Sequence, residues 1–407
     1  MSHRLLLALP FVLLGCDTSL DGFRLSCGPD AGCPAGDLCQ AGFCAPEASS
    51  TAATGSPSTG AASTGSAGGA STGGAVGGTT TGGTATGATD GASSGGGAWN
   101  GAGSGGCNVS QGSYHALPIG SPSPMALAVD TSGNLLVAVE SSGVPELLSV
   151  APDGGVTVRA PAITGMSLPA GVAVDAQNDV FLADIAGRLY EVGSDAGAAV
   201  ALCGTQGNQC FPGQTSRALA VGPDQTLYVT FPTCVMSWWE GATVTVAGNC
   251  SASAGYFNGQ SKEALFESLE GVTIDPSGTR LVVADGNNGY DCLRQIDLDA
   301  GMVSDFGLPC KSQPFYVGDS FGKPWAVTED RFGNVFAADE GTNANDVWEI
   351  TPAGAFFWIA GGGSSAGSTG AACGADLSSP IGLAVDSLDD LFVLDGAGTG
   401  SLVELTP

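Results

Sequence analysis

Four aspartates occupy the same position in successive copies of a repeated pattern, and their carboxylates are candidates for ligand chemistry. They are Asp184, Asp285, Asp339 and Asp395, each closing a short run of alternating apolar residues. Gathered on one face, they could bind a cation or a polar ligand. Calcium would suit such oxygens, but it needs about six to eight of them at one point. Because the aspartates recur with the repeat, we favour a structural role in which each carboxylate caps a strand end.

Histidine is scarce, and its scarcity limits catalysis. The chain has two histidines, His3 and His115, and His3 lies in a segment that we expect to be removed. A zinc site of three histidines therefore lacks ligands, and a catalytic triad would depend on His115. The sequence thus assigns no catalytic residue and no metal site.

Thirteen cysteines indicate an oxidising compartment, because reduced cytosolic domains rarely keep so many. Four of them lie within residues 27–46, where the chain is too short to form a hydrophobic core. We expect two disulfides there, with three possible connectivities; a zinc site is the alternative. The four residues are Cys27, Cys33, Cys39 and Cys44.

Two groups of adjacent aromatic residues are candidates for partner binding. Trp238 and Trp239 form one group, and residues 356–358, Phe-Phe-Trp, form the other. In a strand, neighbouring side chains point to opposite faces, so one member of each pair points outward. An exposed aromatic ring can bind a polysaccharide or a protein partner. Packing between structural units is the alternative explanation for both groups.

The four aspartates and the two aromatic groups belong to a pattern that occurs six times. The copies beginning at Pro169 and Pro380 read PAGVAVDAQNDVFLAD and PIGLAVDSLDDLFVLD, which is a strand, an acidic turn and a second strand. The residue that closes the first strand recurs at Asp130, Asp175, Gly222, Asp275, Asp330 and Asp386. An apolar period of two argues against helical repeats. A repeat of about 50 residues with four short strands predicts a β-propeller.

The ends of the repeat array predict a closed ring. The last copy stops just after its third strand, and residues 113–119 form a lone strand before the first copy. We expect this strand to pair with residues 401–405 and complete the sixth unit, which would remove an exposed strand edge. The predicted fold is all-β: a six-bladed β-propeller closed by an N-terminal strand.

The blade pattern also predicts disulfides. In an up-and-down blade, the loop after the second strand and the end of the fourth strand share one face. Cys234 and Cys250 hold these positions in the third copy, and Cys292 and Cys310 hold them in the fourth. We therefore expect both pairs to form disulfides. Cys203 and Cys210 flank a short connection and are a third candidate pair, which leaves Cys107 and Cys373 by exclusion.

The N-terminus has the features of a targeting signal. Residues 1–15 combine Arg4 with the apolar run 5–14, which is too short to span a hydrocarbon core of about 30 Å. The signal ends in Leu-Leu-Gly-Cys, which resembles a bacterial lipobox and implies a lipid on Cys16. A plain secretory signal is the alternative. A lipid-anchored protein would lie outside the cytoplasm in the bacterial cell envelope, and we favour the outer membrane or cell surface over the inner membrane.

Composition divides the rest of the chain. Residues 16–26 are the expected lipidated N-terminus, residues 27–46 the Cys-rich module, residues 47–106 a Gly/Ser/Thr/Ala-rich linker, and residues 107–407 the propeller. The linker has no apolar periodicity and is expected to be disordered.

A formal net charge of -28 repels nucleic acid and anionic headgroups, so we expect no nucleic-acid partner and a soluble, monomeric propeller.

The fourth copy resembles an NHL repeat. It reads AGYFNGQSKEALFESLEGVTIDPSGTRLVVADGNNGYDCLRQIDLDAGMVSDF, and the TVTVAGN of residues 243–249 resembles the closing strand of such a repeat. The resemblance covers about residues 113–407 and implies a propeller that serves as a binding platform or, less often, as an enzyme. Gluconolactonase-like propellers bind a divalent metal, but no ligand set of that kind matches this sequence.

These observations favour a non-catalytic function. We expect a membrane-tethered binding or scaffold protein whose propeller interacts with a protein or ligand outside the cytoplasm. A divalent-metal-dependent hydrolase or lyase on the same fold is one alternative. A polysaccharide-binding or adhesive surface protein is the other.

Overall fold

A computed structural model describes residues 37–40, 43–46, 113–117, 123–194, 197–203, 208–286, 291–307, 310, 322–340, 345–361, 369–371, 375–396 and 401–406. No helix within these ranges has the length and apolar character needed to cross a membrane. The chain divides into two units, Met1–Ala88 and Thr89–Pro407. The predicted signal peptide, Cys16 and the predicted linker lie outside the described residues.

The described part of the first unit is one antiparallel hairpin. Strand β1 (Asp37–Gln40) pairs with β2 (Phe43–Pro46). The pairing sets Cys39 opposite Cys44 in register. Cys27 and Cys33, the other two cysteines of the predicted module, lie outside the described residues.

The second unit contains six antiparallel sheets, which are the blades of a propeller, and it begins with β3 (Ser113–Leu117). Blade 1 consists of β4 (Ser123–Val129), β5 (Leu135–Ser141), β6 (Val144–Val150) and β7 (Val156–Ala160). Blade 2 consists of β8 (Pro169–Val174), β9 (Val180–Asp184), β10 (Leu189–Val192) and β11 (Val200–Ala201). Blade 3 consists of β12 (Ala218–Val221), β13 (Leu227–Phe231), β14 (Cys234–Trp239) and β15 (Ala242–Gly248).

The remaining blades follow the same order. Blade 4 consists of β16 (Gly259–Gln260), β17 (Leu269–Ile274), β18 (Arg280–Asp285), β19 (Cys292–Asp297) and β20 (Met302–Asp305). Blade 5 consists of β21 (Pro324–Glu329), β22 (Val335–Glu340), β23 (Asn345–Ile350) and β24 (Phe356–Gly361). Blade 6 comprises β3, β25 (Thr369–Ala371), β26 (Pro380–Val385), β27 (Leu391–Asp395) and β28 (Ser401–Thr406).

The innermost strands of the six blades form a closed ring. Each of β4, β8, β12, β17 and β21 lies against the innermost strand of the next blade, and β26 contacts β4. Six apolar clusters fill the spaces between neighbouring blades. The core therefore lies between the blades, which confirms the predicted six-bladed propeller.

The N-terminal strand closes the ring as predicted. Strand β3 pairs antiparallel with β28, setting His115 opposite Glu404 and Ser113 opposite Thr406. Strand β25 pairs with the other edge of β3 and adds a fifth strand to blade 6. Blade 4 is extended in the same way by β16, which pairs with β20. The sequence analysis did not anticipate these two added strands.

The repeated acidic turn is held by its own aspartate. Asp130 Oδ1 accepts hydrogen bonds from the backbone N–H groups of Ser132 at 2.8 Å and Asn134 at 2.9 Å. Gly133 between them has a φ of 80°, which favours glycine because it lacks a Cβ. Asp330 accepts equivalent bonds from Phe332 and Asn334. The carboxylate thus provides the hydrogen-bond acceptor that the N–H groups of the turn would otherwise find in water. It also fixes the position at which the first strand ends.

Three disulfides lie within the described propeller. They join Cys234 to Cys250 and Cys292 to Cys310, which are the pairs expected from the blade pattern, and Cys203 to Cys210, the candidate pair that flanks a short connection. The first two hold equivalent positions in blades 3 and 4. Cys107 and Cys373 lie outside the described residues, so their pairing stays a prediction.

Candidate functional site

A cavity of about 430 Å³ lies on the propeller axis, lined by the innermost strands of all six blades. Ile185, in the turn after β9, also lines the cavity. This places one end of the cavity beside the loops that connect the second and third strands of the blades. We call this end the mouth.

Six residues, one from each blade, surround the mouth. Each stands five positions before the residue that closes the innermost strand of its blade, and all six line the cavity. We call them the mouth ring: Met125, Ala170, Arg217, Glu270, Trp325 and Ile381. Blades 3 and 4 contribute opposite charges, whereas the other four contribute apolar or aromatic side chains. The ring is therefore polar on one side and apolar on the other.

Glu270 and Arg217 form the polar side of the mouth ring. An Arg217 guanidinium nitrogen lies 3.6 Å from Glu270 Oε2, a distance longer than that of a direct hydrogen bond. The Glu270 side chain is 6% exposed and that of Arg217 is 36% exposed. Burial raises the pKa of Glu270, and the nearby charges of Arg217 and Lys323 oppose this shift. Both cations thus act on the same carboxyl group.

Two further polar groups belong to the mouth. The Lys323 ammonium lies 4.1 Å from the centre of the Trp325 ring, a distance at which a cation is attracted to the aromatic face. Ser216 precedes Arg217 in the chain and lines the cavity. Its hydroxyl oxygen is buried and has no hydrogen-bond partner in the structure. A buried hydroxyl without a partner costs free energy, which a suitable ligand would recover.

The four repeated aspartates hold the loops that lead into the innermost strands. All four are buried, and their carboxylates accept backbone hydrogen bonds from Ser167, from Glu267 and Ser268, from Gly322 and Lys323, and from Ser378 and Ser379. Each donor lies within three residues of an innermost strand. Through these hydrogen bonds the four carboxylates each hold a loop at the start of an innermost strand. Through these loops they position the mouth ring.

Blade 3 lacks this aspartate and uses Thr230 instead. The Thr230 hydroxyl is buried, accepts a hydrogen bond from the backbone N–H of Ala218 at 3.0 Å and donates one to the carbonyl of Glu270 at 2.6 Å. This links the innermost strands of blades 3 and 4 beside the two charged members of the ring. The missing aspartate in the third copy therefore has a structural substitute.

A buried ion pair reinforces the anchor in blade 4. Arg294 is fully buried and donates a hydrogen bond to Asp285 Oδ2 at 2.9 Å. The same guanidinium donates to Asn258 Oδ1 and to the carbonyl of Phe257. It also lies against the ring of Tyr256, 4.7 Å from its centre. Arg294 thereby fastens the segment before β17 to the blade, which again supports the position of Glu270.

The aromatic groups singled out from the sequence occupy two environments. Phe356 and Trp358 pack against the cluster between blades 4 and 5, and Phe357 packs against the cluster between blades 5 and 6. Trp239 is 43% exposed at the hairpin between β14 and β15. Trp238 is partly buried. Packing thus accounts for residues 356–358, whereas Trp239 presents an aromatic ring to solvent.

The described residues contain no cluster suited to a metal ion. In that part of the chain, no group of three or more histidine, cysteine, aspartate or glutamate side chains is arranged to hold a metal ion. Glu270 is the one carboxylate in the mouth ring. His115 lies on β3, in the outer part of blade 6.

The mouth ring was not predicted from the sequence. The sequence does contain a sign of it, because the residue at this one position of the repeat differs in every copy: Met, Ala, Arg, Glu, Trp and Ile. Neighbouring positions of the same strands are more uniform, as the next position reads Ala or Gly in every copy. A position that varies in charge inside a regular repeat is one that the fold does not require for packing.

Comparisons with known proteins identify the fold. No protein-family model and no curated protein matches the chain. A gluconolactonase from Xanthomonas campestris is similar in structure, with a TM-score of 0.52 and 16% identity over 73% of this chain and 90% of that chain. An auxiliary nutrient binding protein from Bacteroides ovatus has a TM-score of 0.52 and 15% identity, covering 74% of each chain.

Identities this low show a shared fold alone. The chain is a β-propeller whose structural neighbours are of the gluconolactonase type, and propellers of this kind include both binding proteins and enzymes. The resemblance of the fourth copy to an NHL repeat stays a prediction.

Proposed function

We propose that this protein is a non-catalytic binding propeller of the bacterial cell envelope, tethered through a lipid on Cys16, and that it binds its ligand at the mouth ring. The observation that carries the proposal is a buried hydroxyl without a partner next to a partly exposed ion pair, both at an axial cavity. The hydroxyl is that of Ser216, and the ion pair joins Arg217 to Glu270 at 3.6 Å. A packed structural core would have satisfied the Ser216 hydroxyl.

The size of the cavity supports a small ligand or the side chain of a partner. Ligand pockets have volumes of about 300–1,000 Å³ and combine apolar walls with a few polar groups, and this cavity has about 430 Å³. The fold itself does not distinguish between binding and catalysis. Binding is favoured because the mouth ring contains no histidine or cysteine, and Glu270 is its one titratable acid.

The envelope location is supported by the sequence of residues 1–16 and by the disulfides. Three disulfides in the described propeller fit an oxidising compartment outside the cytoplasm. The polar linker of residues 47–106 would let the propeller sample positions away from the membrane surface. The outer membrane or the cell surface is the location we propose.

Polysaccharide binding is a second candidate, and the exposed ring of Trp239 favours it. Thr243 and Val244 lie on the neighbouring strand, and Val244 is 56% exposed. An exposed indole with an apolar neighbour can stack on a sugar ring. This surface lies on β14 and β15, away from the mouth ring.

Two matched tryptophan variants separate these candidates. A thermal-shift panel of small organic acids, amines, sugars and oligosaccharides would be measured on the wild type, Trp325→Ala and Trp239→Ala. We expect compounds that raise the melting temperature of the wild type to act equally on Trp239→Ala and not on Trp325→Ala. The reverse pattern, with oligosaccharide binding lost only in Trp239→Ala, would support the second candidate instead.

A further inference from the structure

The mouth offers more unused hydrogen-bond donors than acceptors. Arg217 keeps a partly exposed guanidinium whose contact in the structure is the 3.6 Å approach to Glu270. The Lys323 ammonium rests on the Trp325 ring, and the Ser216 hydroxyl has no partner. All three can donate hydrogen bonds, and two of them carry a positive charge.

The carboxylates at the mouth already lie close to donors of the protein. Glu270 Oε1 accepts from the Ser268 hydroxyl at 3.4 Å, and Oε2 faces Arg217. Glu340, whose charge also acts on Glu270, accepts from the Ser379 hydroxyl at 3.1 Å. A ligand therefore gains most binding free energy if it carries hydrogen-bond acceptors, which can accept from the donors of the mouth.

Most other cations in the described part of the chain are bonded within the fold. Arg188, Arg280, Arg294 and Arg331 pair with carboxylates, and Arg159 donates to two backbone carbonyls. Arg217 lines the axial cavity, and Lys323 lies beside it against the Trp325 ring, with its charge acting on Glu270. On a chain with a formal charge of -28, these two cations offset the charges of Glu270 and Glu340, so the mouth should repel anions less than the rest of the surface does.

The opposite side of the mouth is apolar. Met125, Trp325 and Ile381 belong to the ring, and Ile185 of blade 2 also lines the cavity. A ligand that fills the mouth would place an apolar or aromatic body against these side chains. Burying such a body supplies affinity, while the charged head group supplies orientation.

We propose that the mouth ring selects small organic anions, namely carboxylates attached to an apolar or aromatic body. The carboxylate accepts hydrogen bonds from Arg217, Ser216 and Lys323, and the body packs against Trp325 and its apolar neighbours. Glu270 limits the affinity by repulsion. This inference rests on the proposed function, because it specifies the ligand of the same site.

Three probes that share a phenyl ring test the head-group preference: phenylacetate, phenethylamine and phenylacetamide. Titration calorimetry on the full-length protein should give a Kd for phenylacetate about ten-fold lower than for phenethylamine, because a charge-assisted hydrogen bond is worth at least that factor. Arg217→Gln and Lys323→Gln should each weaken phenylacetate binding by about ten-fold. Lys262→Gln, which removes an exposed cation outside the mouth, is the matched control and should leave the Kd unchanged.

Glu270→Gln gives the sharpest distinction, since it removes a charge while keeping the shape. It should strengthen phenylacetate binding, whereas an ammonium ligand would bind more weakly to it. Trp325→Ala should abolish the binding of every probe, and Trp325→Leu serves if the alanine variant does not fold.

The outcomes separate the two proposals. If phenethylamine binds as tightly as phenylacetate and Trp325→Ala abolishes both, the mouth is the ligand site but the anion preference is overturned. If no probe binds at millimolar concentration, the anion preference is likewise overturned. If phenylacetate binds equally well to wild type, Trp325→Ala and Trp325→Leu, both the preference and the mouth as ligand site are overturned.

Discussion

Asp339 accepts a hydrogen bond from the backbone N–H of Lys323 at 2.5 Å, so the second strand of blade 5 holds the residue whose ammonium lies against the Trp325 ring of the mouth. The same carboxylate accepts from the N–H of Gly322 at 2.7 Å. Burial raises the pKa of Asp339 to about 6, against the opposing effect of these two donors. An aspartate that resembled a ligand in the sequence therefore acts by positioning a different side chain.

Replacing Asp339 by alanine should destabilise the propeller. The two backbone donors would lose their acceptor, and an unsatisfied buried polar group costs about 1–3 kcal/mol. We expect the free energy of unfolding, measured with urea at neutral pH, to fall by that amount. A carboxylate kept only for a ligand would behave differently, because its removal would leave the stability of the unliganded protein unchanged or raise it.

Removing the buried guanidinium of Arg294 should cost more than removing the partly exposed one of Arg188. Arg294→Met leaves Asp285 buried without its cation, and breaking such a pair costs about 3–5 kcal/mol. Arg188→Met removes an arginine that is 23% exposed, so water can reach the buried Asp184 and we expect a smaller loss of about 1–3 kcal/mol. Urea unfolding of both variants measures the difference. Equal losses would contradict the assignment of Arg294 as the anchor of the segment before β17.

Glu349 should make the stability fall as the pH rises. Its side chain lies inside blade 5, Oε2 has no hydrogen-bond partner, and burial raises the pKa to about 8, with the charge of Asp330 adding to the shift. In the unfolded chain the proton leaves near the ordinary pKa of 4.5. Between these values the folded state holds a proton that the unfolded state has lost. The free energy of unfolding should therefore decrease with rising pH, by at most about 1.4 kcal/mol per pH unit.

The variant Glu349→Gln isolates this contribution. It cannot ionise, so its stability should fall less between pH 5 and pH 8 than that of the wild type. Glu240→Gln, at an exposed hairpin turn, is the control for the substitution itself. Parallel stability curves for wild type and Glu349→Gln would show that Glu349 does not retain its proton in the folded state.

Deleting residues 107–119 should open the ring. The deletion removes β3, which lies between β28 and β25, and so exposes the edge of Ser401–Thr406. We expect a sharply lower melting temperature and aggregation, because an unpaired edge recruits other strands. A deletion of equal length within residues 47–106 is the control and should change neither. A monomeric truncated protein with an unchanged melting temperature would mean that pairing with β3 does not hold the ring together.

Substituting the proposed lipid site tests the anchoring. Cys16→Ser should abolish labelling by a radioactive fatty acid and release the protein from membranes, because stable attachment would depend on the lipid. Extraction of the wild type with detergent provides the comparison. Continued lipid labelling of the variant would rule out Cys16 as the lipid site.

The sequence by itself determined the architecture of the propeller. Alternating apolar residues define the strands, and the aspartate that closes each first strand bonds its own turn, as Asp130 does with Ser132 and Asn134. These interactions join residues that are only a few positions apart, so a single copy of the repeat is enough to predict them. The number of copies, the closing strand and the disulfides of blades 3 and 4 follow from comparing equivalent positions in the copies.

Only the tertiary structure decided which residues meet at the axis and what the repeated aspartates do. Arg217 and Glu270 are 53 residues apart, and their contact exists because the innermost strands of blades 3 and 4 are neighbours around the ring. Likewise, Asp339 accepts a hydrogen bond from Lys323, in the loop that precedes the first strand of the blade. The sequence pattern does not show that this loop passes beside the end of the second strand. The physical reason is that a local pattern encodes the strand and its turn, whereas convergence at the mouth depends on the radial packing of all six blades.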